Sequence, residues 1–148
     1  MKVAVDATVL VRAVLRDDPK QARAAAKVLT DAALIAVALP CLCELVWVLL
    51  RVYGFQPTDV ATAIRALLAA GNVAVNRPAA EAGLAVLEAG GDFADGVIAY
   101  EGNWLGRETL VSLDKKAVAL LTAQGQLARL LCRNQGADAA RVRPTLVC

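Results

Sequence analysis

Short Val-rich runs alternate along this chain with longer stretches of Ala and Leu at helical spacing. That alternation is the pattern of an α/β sandwich built on a mainly parallel sheet. Residues 2–6 (KVAVD) read as a first strand. Pro19, preceded by Asp17-Asp18, opens a helix through QARAAAKVLT, because Pro suits the first helical position and an acid suits the place before it. Residues 34–38 (LIAVA) are apolar throughout and read as a second strand buried on both faces. Pro40 opens a second helix that runs to about Tyr53 and stops at Gly54. Thr58 is expected to cap a third, TDVATAIRALLAA, ended by Gly71. Residues 73–76 (VAVN) read as a third strand, and Ala79 to Ala89 as a fourth helix closed by Gly90-Gly91. Asp92 is the expected N-cap of DFADGVIAYEGNW. Residues 109–113 (TLVSL) form a strand that delivers Asp114, Lys115 to Gln124 a further helix stopped by Gly125, and QLARLL a last strand. From Cys132 to Cys148 the pattern weakens, so the expected organisation is one domain over 1–131 and a tail over 132–148. No repeat or linker interrupts it.

A length of 148 residues fits one domain with a real core, and 58% apolar against 20% charged residues argues for a folded chain. The net charge of +2 neither demands nor excludes a nucleic-acid partner. The absence of His is more decisive. It removes Ser-His-Asp chemistry, Cys-His chemistry and His-ligated metal sites from this chain. Cys41 and Cys43 are spaced unlike a CxxC motif, and with Cys132 and Cys148 they read as reduced packing thiols of a cytoplasmic protein. MKVAVD reaches a carboxylate too early for a secretory signal, and the longest apolar stretch, Ala32 to Cys43, is too short for a membrane span.

The remaining chemistry lies with nine Asp and five Glu. Asp17, Asp18, Asp31, Asp59, Glu81, Glu88, Glu101, Glu108 and Asp138 fall at helix starts or on polar faces, where solvated acids ordinarily sit. Asp6 and Asp114 each end an apolar strand, which in a parallel sheet puts both at the carboxyl edge, where such folds place ligands. A turn or cap role is the alternative for either. Glu44 interrupts the apolar run CLCELVWVLL just inside a helix, so its charge needs a compensating partner; a buried salt bridge is the alternative. Asp92 and Asp95 open one helix, and Asp95, followed by GVIA, is expected to point inward. Acids converging on one edge repel, and a divalent cation with oxygen-only ligands, Mg²⁺ or Mn²⁺, resolves the conflict. Without His, a metal-activated water is the simplest nucleophile for phosphodiester cleavage.

The segments VDATVLVR, PCLCELVWVL, GDFADGVIAYEG and TLVSLDKKA, in that order, resemble the PIN domain, and within it the VapC-like toxins of bacterial toxin–antitoxin pairs. The likeness runs from Met1 to about Leu131, with DFADGVIA and SLDKKA its most specific stretches. It implies a three-layer α/β/α sandwich around a roughly five-stranded parallel sheet. It also implies an endoribonuclease that cuts single-stranded RNA, with Asp6, Glu44, Asp95 and Asp114 as catalytic metal ligands for Mg²⁺ or Mn²⁺. Asp92, Thr8 and Ser112 are expected to support them. A homodimer is implied, as is an antitoxin that blocks the active site. The chain departs from the family at its first motif, where Asp6-Ala7-Thr8 stands for the usual Asp-Thr-Asn or Asp-Ser-Asn; Thr8 keeps a hydroxyl beside Asp6.

Arg12 and Arg16 after the first strand, and Lys115 and Lys116 after Asp114, are candidate RNA contacts around the acidic edge, or else ordinary surface charge. Trp47 and Trp104 are candidates for base stacking, Trp47 otherwise belonging to the core or a dimer interface. Two other classes compete. A non-catalytic PIN-like binding module is suggested by the altered first motif. A phosphoryl-transfer or receiver-like domain lacks the acids it would need, since Thr8 and Asn76 occupy those places.

Overall fold

The computed structural model describes residues 1–131; the expected 132–148 tail, with Cys132 and Cys148, lies outside the described residues. The elements run β1 (Lys2–Ala4), α1 (Ala7–Leu15), α2 (Pro19–Asp31), β2 (Leu34–Ala36), α3 (Leu39–Arg51), α4 (Pro57–Ala69), β3 (Val73–Ala74), α5 (Arg77–Glu88), α6 (Phe93–Trp104), β4 (Leu110–Ser112), α7 (Lys115–Ala123) and β5 (Ala128–Leu130). The protein is thus α/β, with parallel strands. No helix among the described residues is long and apolar enough to cross a membrane.

The expected five-stranded sheet is not formed. Strands β1, β2 and β3 make one parallel sheet, with Lys2 opposite Leu34 and Ile35 opposite Val73. Strands β4 and β5 make a separate parallel pair, Leu110 opposite Ala128. The division follows the packing. Strands this short carry few ladder bonds, so each sheet is held by the apolar layer beneath it. The larger sheet shares its core with Leu42, Leu45 and Leu49 of α3, Ile64 of α4, Leu84 of α5 and Phe93 of α6. The smaller pair has its own core of Val86, Ala99 and Leu121, with Leu110 and Ala128 packed on it.

Three local features differ from the sequence expectation. Helix α1 follows β1 directly, although its Thr and Val side chains are weak helix formers. Its apolar positions decide the matter: Ala7, Leu10 and Val11 are buried and Val14 packs against the core, the spacing of one helical face. Thr58 does not cap α4; Gln56 occupies the N-cap and Pro57 the first turn, while the Thr58 carbonyl accepts a bond from the Thr62 hydroxyl at 3.0 Å. Asn76 ends no strand; its side chain caps α5, accepting from the Ala79 N–H at 3.2 Å.

Helix α3 buries Leu42, Leu45, Val46 and Leu49 and turns Glu44, Trp47 and Arg51 outward on a single stripe. Helix α6 is placed by its approach to α5. A Cβ on Gly96 would collide with the carbonyl oxygen of Ala82, and one on Gly83 would lie 2.7 Å from the buried Phe93 ring. Two backbones this close leave no room for a methyl group. Gly96→Ala is therefore expected to destabilise the protein by about 1–3 kcal/mol, the ordinary cost of overpacking. Thermal denaturation checks this, and an unchanged Tm would contradict the close contact.

Candidate functional site

Three of the sequence-predicted acids sit at helix N-termini and cap them. Asp6 accepts at Oδ1 from the Thr8 hydroxyl at 2.5 Å and the Val9 N–H at 3.3 Å. Asp114 accepts at Oδ1 from the N–H groups of Lys116 at 2.9 Å and Ala117 at 3.1 Å. Asp92 accepts at Oδ1 from the Ala94 N–H at 3.1 Å. Ser112 steadies its turn, its hydroxyl accepting from the Asp114 N–H at 3.0 Å. The cap role weighed against function is therefore real. It does not exhaust these groups, because the second oxygen of each carboxylate takes no part in these bonds and remains available as a ligand.

Asp95 differs. It lies one turn into α6 and is half-buried, as its apolar neighbours imply. Its carboxylate has no hydrogen-bond or ion-pair partner among the described residues. Burial, then the charges of Asp92 and Asp114, push its pKa above the ordinary carboxylate value. Asp6 is shifted the other way, chiefly by the Thr8 hydroxyl and then by the Val9 N–H.

Burial pushes the Cys41 thiol up to about 11, with the charges of Asp6 and Glu44 adding to it. Cys43 is also raised, by burial first and then by Asp92 and Glu101. The two thiols thus feel different acids, Cys41 that of Asp6 and Cys43 that of Asp92. Both thiols stay protonated near neutral pH and make poor nucleophiles.

The ion pairs sort the acids. Those on the described residues join Arg12 to Asp17 at 3.1 Å, Lys27 to Asp31 at 3.1 Å, and Arg65 to Glu81 at 3.5 Å and to Glu88 at 2.5 Å. All these carboxylates belong to the set read as ordinary surface acids. Asp6, Glu44, Asp92, Asp95 and Asp114 have no ion pair among the described residues.

Several expectations need correction. Glu44 is exposed, so its charge is not forced to find a buried partner. It lines a cavity of about 140 Å³ with Thr8, Arg12 and Tyr53. Trp47 is 59% exposed and is not a core residue. Arg12 is committed to Asp17 through both carboxylate oxygens. Arg16, in the left-handed conformation at the C-cap of α1, lies roughly 15 Å along the helix from Asp6, away from the acidic edge. Lys115 and Lys116 are exposed in the first turn of α7, beside Asp114. Arg51 and Tyr53 were not singled out from sequence. Spacing carried a signal for Arg51, four residues after Trp47; none marked Tyr53.

A second cavity, of about 330 Å³, is lined by Asp92, Asp114, Lys116, Gly90, Gly91 and the Trp47–Arg51 side of α3. Among the described residues no three acidic or thiol side chains lie close enough together to hold a metal ion in a closed cage. No family model matches the chain, and no curated protein is significantly similar to it.

The raised pKa of Asp95 has a signed consequence. The folded state binds this proton more tightly than the unfolded chain does, so stability falls as pH rises from the ordinary value of 3.8 to the raised one. The penalty is absent below that range and complete above it. Asp95→Asn should therefore raise Tm at neutral pH, with the gain vanishing below pH 3.8. Denaturation measured across pH tests this; a gain independent of pH, or a loss at neutral pH, would contradict it.

Proposed function

We propose that this protein is a Mg²⁺- or Mn²⁺-dependent endoribonuclease of the PIN-domain type, acting on single-stranded RNA as the toxin of a toxin–antitoxin pair. The supporting observation is Asp95: a half-buried, unpartnered carboxylate pushed upward by burial and then by the charges of Asp92 and Asp114. Left alone, such a cluster destabilises the fold. A divalent cation turns the conflict into attraction, and every donor on offer is an oxygen.

The reading calls for an open kind of site. Mg²⁺ is commonly held by one or two carboxylates, several waters and a substrate phosphate. The absence of a three-acid cage among the described residues therefore fits an open, hydrated site. Asp95 would hold the ion with Asp92 or Asp114. Asp6 and Glu44 do not line the cavity that holds Asp92 and Asp114. A bound ion would supply polarisation of the phosphate and acidification of a water. The chain's own residues do the rest. The Thr8 hydroxyl holds Asp6 ionised, Ser112 fixes the turn that presents Asp114, and Lys116 offers a cation to approaching phosphate. As a toxin the protein acts in the cytoplasm as a homodimer, restrained by an antitoxin that covers the acidic edge.

Asp95→Asn and Asp114→Asn should each lower Mn²⁺-dependent cleavage of single-stranded RNA by at least ~100-fold while leaving circular dichroism unchanged. Full cleavage by both variants would refute the assignment. The same missing cage favours a second reading, a non-catalytic module. Calorimetric Mn²⁺ titration beside the cleavage assay separates the two: a module binds the ion weakly and cleaves nothing.

A further inference from the structure

We infer that the stripe Trp47–Arg51 on α3 and Lys116 on α7 form a subsite for one nucleotide of single-stranded RNA, with a base stacked on Trp47 and its phosphate against Arg51 and Lys116. The choice of RNA as ligand rests on the nuclease reading; the subsite itself rests on the cavity of about 330 Å³ that these residues line.

Trp47 is 59% exposed on a wall of that cavity, so its indole face is available. Arg51 lies one turn further along the same face of α3. The Lys116 ammonium reaches over Gly90, 3.8 Å from where a Cβ on that residue would lie. Arg51 and Lys116 have no ion-pair partner among the described residues, unlike Arg12 and Arg65. Asp92 and Asp114 close the remaining side. Their spare oxygens can accept hydrogen bonds from the amino groups of a base.

Two cations facing two carboxylates leave the cavity near charge balance. Phosphate attraction is therefore partly cancelled, and stacking on Trp47 carries most of the affinity. A second protein copy laid over this surface would instead bury Arg51, Lys116, Asp92 and Asp114, at a desolvation cost that stacking by a single base avoids. Trp104, 77% exposed at the end of α6, lines neither this cavity nor the one beside Glu44 and serves as an internal control.

The test uses full-length protein carrying Trp104→Phe, so that emission comes from Trp47 alone. Short single-stranded oligoadenylate is titrated in EDTA, which prevents cleavage, and affinity is read by anisotropy of a labelled strand. RNA should quench the emission. Trp47→Ala should weaken binding on the order of 10- to 100-fold, and Trp47→Phe should recover most of it. Arg51→Ala and Lys116→Ala should each reduce the slope of log affinity against log salt by ~0.7. If Mn²⁺-dependent cleavage is intact but emission is unquenched and Trp47→Ala binds normally, the subsite is wrong and the nuclease reading stands. If quenching occurs but the parent protein cleaves nothing with Mn²⁺, the subsite stands and the nuclease reading fails. If Trp47→Ala converts a dimer to a monomer in sedimentation without changing RNA affinity, the stripe is a protein interface and the inference is overturned.

Discussion

The carboxylates at the helix N-termini cap those helices through one oxygen, and the proposed site depends on the other being left free. Asp6, Asp92 and Asp114 each spend Oδ1 on N–H groups that the first turn of a helix leaves without partners. The bond fixes the side-chain rotamer and holds the other oxygen clear of the backbone. The positive end of the helix dipole favours the ionised form. An acid set this way is preorganised without an arginine or lysine to hold it, and none of the three is ion-paired among the described residues. Asp95, in the interior of the first turn of α6, has no such bond and carries the unrelieved charge.

Packing brings Asp92 and Asp114 to the wall of one cavity, which Asp6 does not line. Asp6 follows a strand of the larger sheet and Asp114 a strand of the smaller pair, so no single sheet edge sets their relation. Helix α3 does part of that work. Its buried stripe locks into the main core, and its outer side lines the cavity that holds Asp92 and Asp114. Helix α6 does the rest. Its glycine contact with α5 seats Phe93 in the core and leaves Asp92 on the wall of the cavity shared with α3 and α7. The outward stripe of α3 then runs from an acid, Glu44, through an aromatic, Trp47, to a cation, Arg51.

Much of this was readable from the residues, and the failures have physical causes. Apolar periodicity located α2, α3, α4, α5, α6 and α7 because each buries a regular face. Helix α1 is not among the elements read from the sequence; burial of Leu10 and Val11 on one face establishes it. Sequence placed the strands but could not show that β4 and β5 pair apart from the rest, since pairing depends on which core each strand covers. Asp95 is half-buried, as its apolar neighbours imply. Glu44 was singled out for a wrong reason: its neighbours are apolar, yet on a helix they turn inward while it faces out. Arg12 was lost as an RNA contact to Asp17, five residues on, a pairing that requires the turn between α1 and α2.

The central claim is that the charge conflict at Asp95 exists to be resolved by a divalent cation. A crystal of the protein soaked in Mn²⁺ tests it most directly, because anomalous scattering locates the ion without assumption. The account predicts a peak at coordinating distance from the Asp95 carboxylate, shared with Asp92 or Asp114 and otherwise surrounded by water. Mn²⁺ bound elsewhere on the protein, with Asp95 left bare, would contradict it.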